Sequence, residues 1–98
     1  MILSFEKERL TATDETGAVM GHVSFPGIRT GLVRIDQVSV RPAFRGQGVE
    51  DALLEAALNH LEQLGQKAAL TCPQAQRYVK ANGTWSRILP EKIHFETH

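Results

Sequence analysis

Residues 38–54, VSVRPAFRGQGVEDALL, constrain this 98-residue chain more than any other stretch. Val38 and Val40 alternate with Ser39 as a strand does, and Arg41-Pro42 ends the run, because proline offers no N–H to a ladder. Phe44-Arg45-Gly46-Gln47-Gly48 follows, and an apolar pattern of helical period begins at once. Strand, glycine-rich turn and helix, in that order, aim unpaired backbone N–H groups and the positive end of a helix dipole at one point. Such a point binds anions, and the best candidate is a phosphate. Arg41 and Arg45 flank it with fixed charge, and Gly46 and Gly48 allow the backbone to approach a ligand closely.

Elimination narrows the phosphate ligand. The Walker pattern needs a Gly-Lys-Ser/Thr ending, which Gly46-Gln47-Gly48-Val49-Glu50-Asp51 lacks. The dinucleotide fingerprint needs a third glycine, and Asp51 stands in its place.

The remaining chain supplies a scaffold. Residues 3–13 alternate imperfectly and read as one strand; Asp14-Glu15-Thr16-Gly17 is a turn, and residues 18–25 return as its partner. Pro26-Gly27 breaks the pattern, and residues 32–40, rich in β-branched side chains, form a third strand of an antiparallel meander. A helix over 49–64 carries Val49, Leu53, Ala57, Leu61 and Leu64 on its apolar stripe, with Gly65 as its stop. Residues 66–71 form a strand parallel to the third one, reached by a crossover. Cys72-Pro73 opens a second helix running to about Ala81, with proline at its first position. Residues 85–89 allow one more turn, with Trp85 and Phe95 closing the core, and residues 90–98 form a polar tail. The order is β-β-β-α-β-α in one α/β domain over residues 1–98.

Composition excludes some function classes. Eleven basic and eleven acidic residues cancel, so nucleic acid is a poor partner. The charge is uneven: residues 28–48 hold four arginines against Asp36, a local +3, while residues 49–65 hold four acids and no Lys or Arg, a local −4. The positive segment leads into the proposed anion site. One cysteine excludes an internal disulfide and a cysteine-cluster metal site. His22, His60, His94 and His98 lack metal-ligand spacing, and His60 is expected to be solvated on the helix. No leader or membrane span is expected, since residues 1–5 run straight into Glu6-Lys7-Glu8-Arg9, and the expected compartment is cytoplasmic.

The loop Arg45-Gly46-Gln47-Gly48-Val49-Glu50 resembles the acetyl-CoA pyrophosphate loop of the GCN5-related N-acetyltransferases, Gln/Arg-x-x-Gly-x-Gly/Ala. The Arg and the middle Gly match; Glu50 replaces the small last residue and is expected to point outward, leaving its N–H to bind. Ala69-Leu70-Thr71-Cys72-Pro73, then Arg77-Tyr78-Val79-Lys80-Ala81-Asn82 and Trp85, look like the small single-domain YjdJ-like subfamily, and the resemblance covers roughly residues 5–90. It implies the minimal acyl-CoA N-acyltransferase fold, without the amino-terminal helices that cover the acceptor. It implies acetyl-CoA as cosubstrate and transfer to an amine, small molecule or protein. Pantetheine pairing falls on Val38, Ser39 and Val40, and pyrophosphate binding on Arg45, Gly46, Gln47, Gly48, Val49 and Glu50.

Two residues are catalytic candidates. Tyr78 falls near the family's tyrosine, and a phenol can protonate a departing thiolate; equally, it can pack its ring in the core. Cys72 begins a helix, where a thiol is activated and can take the acetyl group, although small buried cysteines also serve as plain hydrophobes and direct attack by the amine is the family's usual route. No general base stands out between Asp36 and His22. The alternative reading is a CoA-binding sensor or interaction module without transfer activity. The expected assembly is a monomer or weak homodimer, with no metal and no membrane contact.

Overall fold

The computed structural model describes residues 1–90; Phe95, His94, His98 and most of the expected polar tail lie outside the described residues. The meander is more finely divided than its sequence suggests. Residues 3–13 are a hairpin, not one strand: β1 (Ile2–Glu6) and β2 (Arg9–Thr13) pair antiparallel with Glu6 opposite Arg9. The connecting Lys7-Glu8 uses no positive φ. It therefore needs neither Gly nor Asn, and the sequence carries no turn signal there.

The next turn does carry its signal. The Asp14 carboxylate accepts from the N–H groups of Thr16 (2.9 Å) and Ala18 (3.0 Å), and Gly17 takes φ 90°. β3 (Val19–Ser24) then pairs with β2, with a bulge that sets Thr13 opposite Val19 and Ala12 opposite Gly21 and leaves Met20 between them.

The expected third strand is also two. β4 (Gly27–Arg29) folds back on β5 (Leu32–Ile35), the chain breaks at Asp36, and β6 (Gln37–Val40) joins the other sheet beside β3. A single 3-10 turn, Pro42–Phe44, leads to α1 (Val49–Gln63), then β7 (Lys67–Leu70), α2 (Pro73–Ala81) and a 3-10 segment, Gly83–Ile88. Among the described residues the sheets run β1-β2-β3-β6 and β4-β5-β7, with β5 and β7 parallel, as expected for a strand reached through a helix.

Why α1 forms where it does is simple. Val49, Leu53, Leu54, Ala57, Leu58 and Leu61 are buried at helical spacing, while Asp51, Glu55, Asn59 and Glu62 stay wet. The stripe lies over Leu10, Ala12, Val23 and Val38, the inward row set of the four-stranded sheet. On the other side α2 and the 3-10 segment add Cys72, Ala75, Val79, Trp85 and Ile88 to the same core. Leu53, Leu54, Leu58 and Leu61 are almost fully enclosed, each contributing about 1.5–3 kcal/mol. His60 is not solvated as expected: it stacks on Phe5 with ring centroids 4.3 Å apart, bringing the edge strand onto the helix.

Candidate functional site

The break at Asp36 creates the site. Up to Ile35 the strand belongs with β7, and the last bond between them runs from the Thr71 N–H to the Ile35 carbonyl (3.1 Å). Beyond it the two strands part, and β6 ends the four-stranded sheet with nothing paired on its outer edge among the described residues. Hydrogen bonding along an antiparallel strand alternates between its edges. The Arg41 N–H donates to the Met20 carbonyl on the β3 side (2.8 Å), so Ser39 faces β3 as well. The backbone groups of Val38 and Val40 then point to the free edge.

At the end of that edge sits the start of α1. Its first intrahelical bond is from the Ala52 N–H to the Gly48 carbonyl (3.1 Å), leaving the N–H groups of Val49, Glu50 and Asp51 without a helical partner. No side chain among the described residues caps them. Gly46 (φ 80°) and Gly48 (φ 78°) are both left-handed on either side of Gln47, the alternation that turns successive N–H groups toward one concavity. A Cβ built on either glycine meets nothing within 4 Å, so the constraint on both is conformational and the space beside them is open.

Strand edge and helix start face one another across a cleft of about 530 Å³. It collects Val38, Ser39, Val40, Arg45, Gly46, Gly48, Val49 and Glu50, all but Gln47 of the residues expected to hold the cofactor. Glu50 is half-buried and lines the cleft, and Asp51 lies beside it. Both acids occupy the first turn of α1, where the helix dipole favours them.

The catalytic candidates stand further back. Cys72 is buried, and its thiol donates to the Gln74 side-chain oxygen (2.9 Å); it is Gln74, not Cys72, that lines the cleft. Tyr78 follows Gln74 by one turn of α2, half-buried and outside the cleft lining. Burial pushes its phenol above the ordinary value of 10.0, and the Glu55 carboxylate on α1 adds to this, partly offset by Trp85. The group is thus a protonated phenol at neutral pH. Asp36 sits at the strand break, paired with Arg34 at 3.7 Å. Phe44, Asp51 and Gln74 were not anticipated as cleft residues. For Gln74 a signal existed: it opens the helix that follows a parallel strand, where open α/β folds place ligands.

A sheet split at one strand, with a glycine-framed helix start at the split, is the acyl-CoA N-acyltransferase architecture. The fold of a GCN5-like N-acetyltransferase from Staphylococcus aureus superimposes with a TM-score of 0.71 over 91% of this chain and 87% of that one, at 19% identity. The chain belongs to the GCN5-related N-acetyltransferase family, whose profile matches residues 9–88. Protein NATD1 of chicken and of mouse is 39% identical over 51 residues, 52% of this chain and 46% of theirs, so the chain spans about half the length of these curated relatives. The Escherichia coli N-acetyltransferase YhbS, solved in complex with CoA, is 29% identical with a TM-score of 0.59, over 67% of this chain and 40% of that one.

Proposed function

We propose that the protein is an acetyl-CoA-dependent N-acetyltransferase that transfers acetyl to an amine, with its pyrophosphate site at residues 45–50. The observation that carries this reading is the convergence of two unpaired backbone rows on one cleft. The free N–H groups of Val49, Glu50 and Asp51 suit a diphosphate, and the free edge of β6 suits the amides of pantetheine. The CoA complex of the related YhbS supports the choice of cofactor.

In this reading the chain's residues divide the work. Arg45 balances phosphate charge that Glu50 and Asp51 in the same wall would repel. Val38 and Val40 hold pantetheine as an added strand would be held. The amine attacks the thioester carbonyl directly: the C–N bond forms, the C–S bond breaks, Tyr78, kept protonated by its raised pKa, gives its proton to the leaving thiolate, and the proton lost by the amine nitrogen restores the phenol. Cys72 holds Gln74 in place through its thiol, and its hydrogen bond must break before it could accept an acetyl group itself.

Calorimetric titration with acetyl-CoA, with Arg45→Ala alongside, tests the reading, followed by a screen of amine acceptors. Binding that weakens roughly ten- to hundredfold in the variant is expected from losing a charge-assisted hydrogen bond worth about 1.5–3 kcal/mol. No binding at millimolar acetyl-CoA would remove the cofactor and the reaction together.

A further inference from the structure

The split between β6 and β7 has two walls of different chemistry. The Thr71–Ile35 bond marks its closed end. Val38 stands three residues beyond Ile35 on one wall, Gln74 three residues beyond Thr71 on the other, and both line the cleft. The β6 wall offers backbone groups. Of the described residues lining the cleft, Gln74 alone comes from α2, so that wall offers a side-chain amide.

The two glutamines of α2 are held in opposite ways. Gln76 spends its amide nitrogen on the Leu70 carbonyl (2.8 Å), tying the helix to the end of β7. Gln74 instead spends its amide oxygen, which accepts from the buried Cys72 thiol at 2.9 Å. A thiol can donate to the amide oxygen but not to the amide nitrogen, so this contact fixes the amide with oxygen toward sulfur and NH2 away from it. No acceptor among the described residues takes the Gln74 Nε2 protons, and that nitrogen is not one of the enclosed, unsatisfied atoms. A half-buried side chain thus has its acceptor occupied and its two donors open to the cleft.

We propose that Gln74 is a cofactor-binding residue of the α2 wall, its NH2 donating to a pantetheine carbonyl oxygen, and that Cys72 is the positioning residue that keeps the amide turned that way. The proposal rests on the acetyl-CoA reading of the cleft. A trans amide carries its N–H and its C=O on opposite sides. A pantetheine amide that gives its N–H to a β6 carbonyl at Val38 or Val40 therefore presents its own carbonyl to the facing wall. There Gln74 supplies the donor that carbonyl needs. The same arrangement gives the buried cysteine a task without ionisation or bond exchange. A thiolate would give up the very proton that holds Gln74, so the positioning role and a nucleophilic role exclude one another.

Calorimetry on the whole chain with two ligands tests this. Acetyl-CoA spans the helix start and the split; ADP, read by its displacement of acetyl-CoA, carries the diphosphate without the pantetheine arm. Gln74→Met, close in shape and without a donor, should weaken acetyl-CoA about three- to tenfold, the effect of one neutral hydrogen bond, and leave ADP within about twofold. Cys72→Ala should weaken acetyl-CoA in the same direction, and Cys72→Ser, which keeps a donor at that point, should restore it. If the wild type binds acetyl-CoA and Gln74→Met binds it equally well, the proposal is overturned and the cofactor reading stands. Equal loss of ADP and acetyl-CoA in Gln74→Met also overturns it, since that is the mark of a distorted helix. Cys72→Ala binding as tightly as the wild type overturns the positioning role. No binding of acetyl-CoA by the wild type removes the proposal and the cofactor reading together.

Discussion

Gly21→Ala tests the link between strand packing and the proposed cofactor site most directly. Gly21 is not in a left-handed conformation, so alanine meets no backbone strain there. Its obstacle is steric. A Cβ at this position falls inside the 3.0 Å limit against the Ser39 carbonyl oxygen, and lies 3.1 Å from the Val40 Cα and 3.2 Å from Leu53 Cδ1. Two of these three atoms are backbone of β6 and cannot swing away, so the strand itself must move. Overpacking of this kind costs about 1–3 kcal/mol. For a domain of this size each kcal/mol lowers Tm by roughly 4–8 °C. The displaced strand is the one whose outer edge, at Val38 and Val40, faces the cleft, so acetyl-CoA affinity should fall with stability. Gly17→Ala is the control. Its φ of 90° makes alanine costly by about 1–2 kcal/mol, but nothing lies within 4 Å of its Cβ and the turn is remote from the cleft. Thermal unfolding and acetyl-CoA calorimetry on both variants give the answer. The reasoning is refuted if Gly21→Ala melts within about 2 °C of the wild type, or loses no more cofactor affinity than Gly17→Ala.

Other outcomes follow from single contacts. Gly48→Ala must hold alanine at φ 78° at the start of α1, so stability should drop by about 1–2 kcal/mol and acetyl-CoA affinity with it, measured by denaturant titration and calorimetry. Tyr78→Phe should lower kcat while leaving the acetyl-CoA Kd in place. Because the phenol pKa is raised, stability tied to the neutral phenol is present below pH 10.0 and is lost as pH climbs through the folded value, an alkaline loss the variant should lack. Arg87→Ala removes the partner that depresses the Glu62 carboxyl, a contact exposed on both sides. Its Tm deficit should be present at pH 7 and shrink as pH falls below 4.5, since a depressed carboxyl contributes stability only above its folded pKa.

Local chemistry was legible in the chain because it depends on neighbours in sequence. The proline after Arg41, the two glycines spaced by Gln47 and the apolar stripe from Val49 to Leu61 each impose their conformation within a few residues. α1 and the glycine turn before it therefore stand where the pattern predicts, and β7 and α2 do so within a residue or two. The Lys7-Glu8 turn was not legible, since a turn without positive φ asks for no particular residue. Nor was the break at Asp36. A run of β-branched residues reads as one strand whether its halves pair with one neighbour or with two.

What the sequence determined by itself was the glycine-framed start of α1, whose first N–H groups its own backbone leaves unpaired. The tertiary structure alone decided that β6 leaves β7 after Ile35 and joins β3, opening the edge beside that helix. It also decided that Gln74 stands before Cys72, and that His22 shares a row with Ser39. These are relations between residues far apart in the chain, set by sheet register and helix packing. No local preference records them, because their free energy comes from surfaces that meet only when the whole domain has closed.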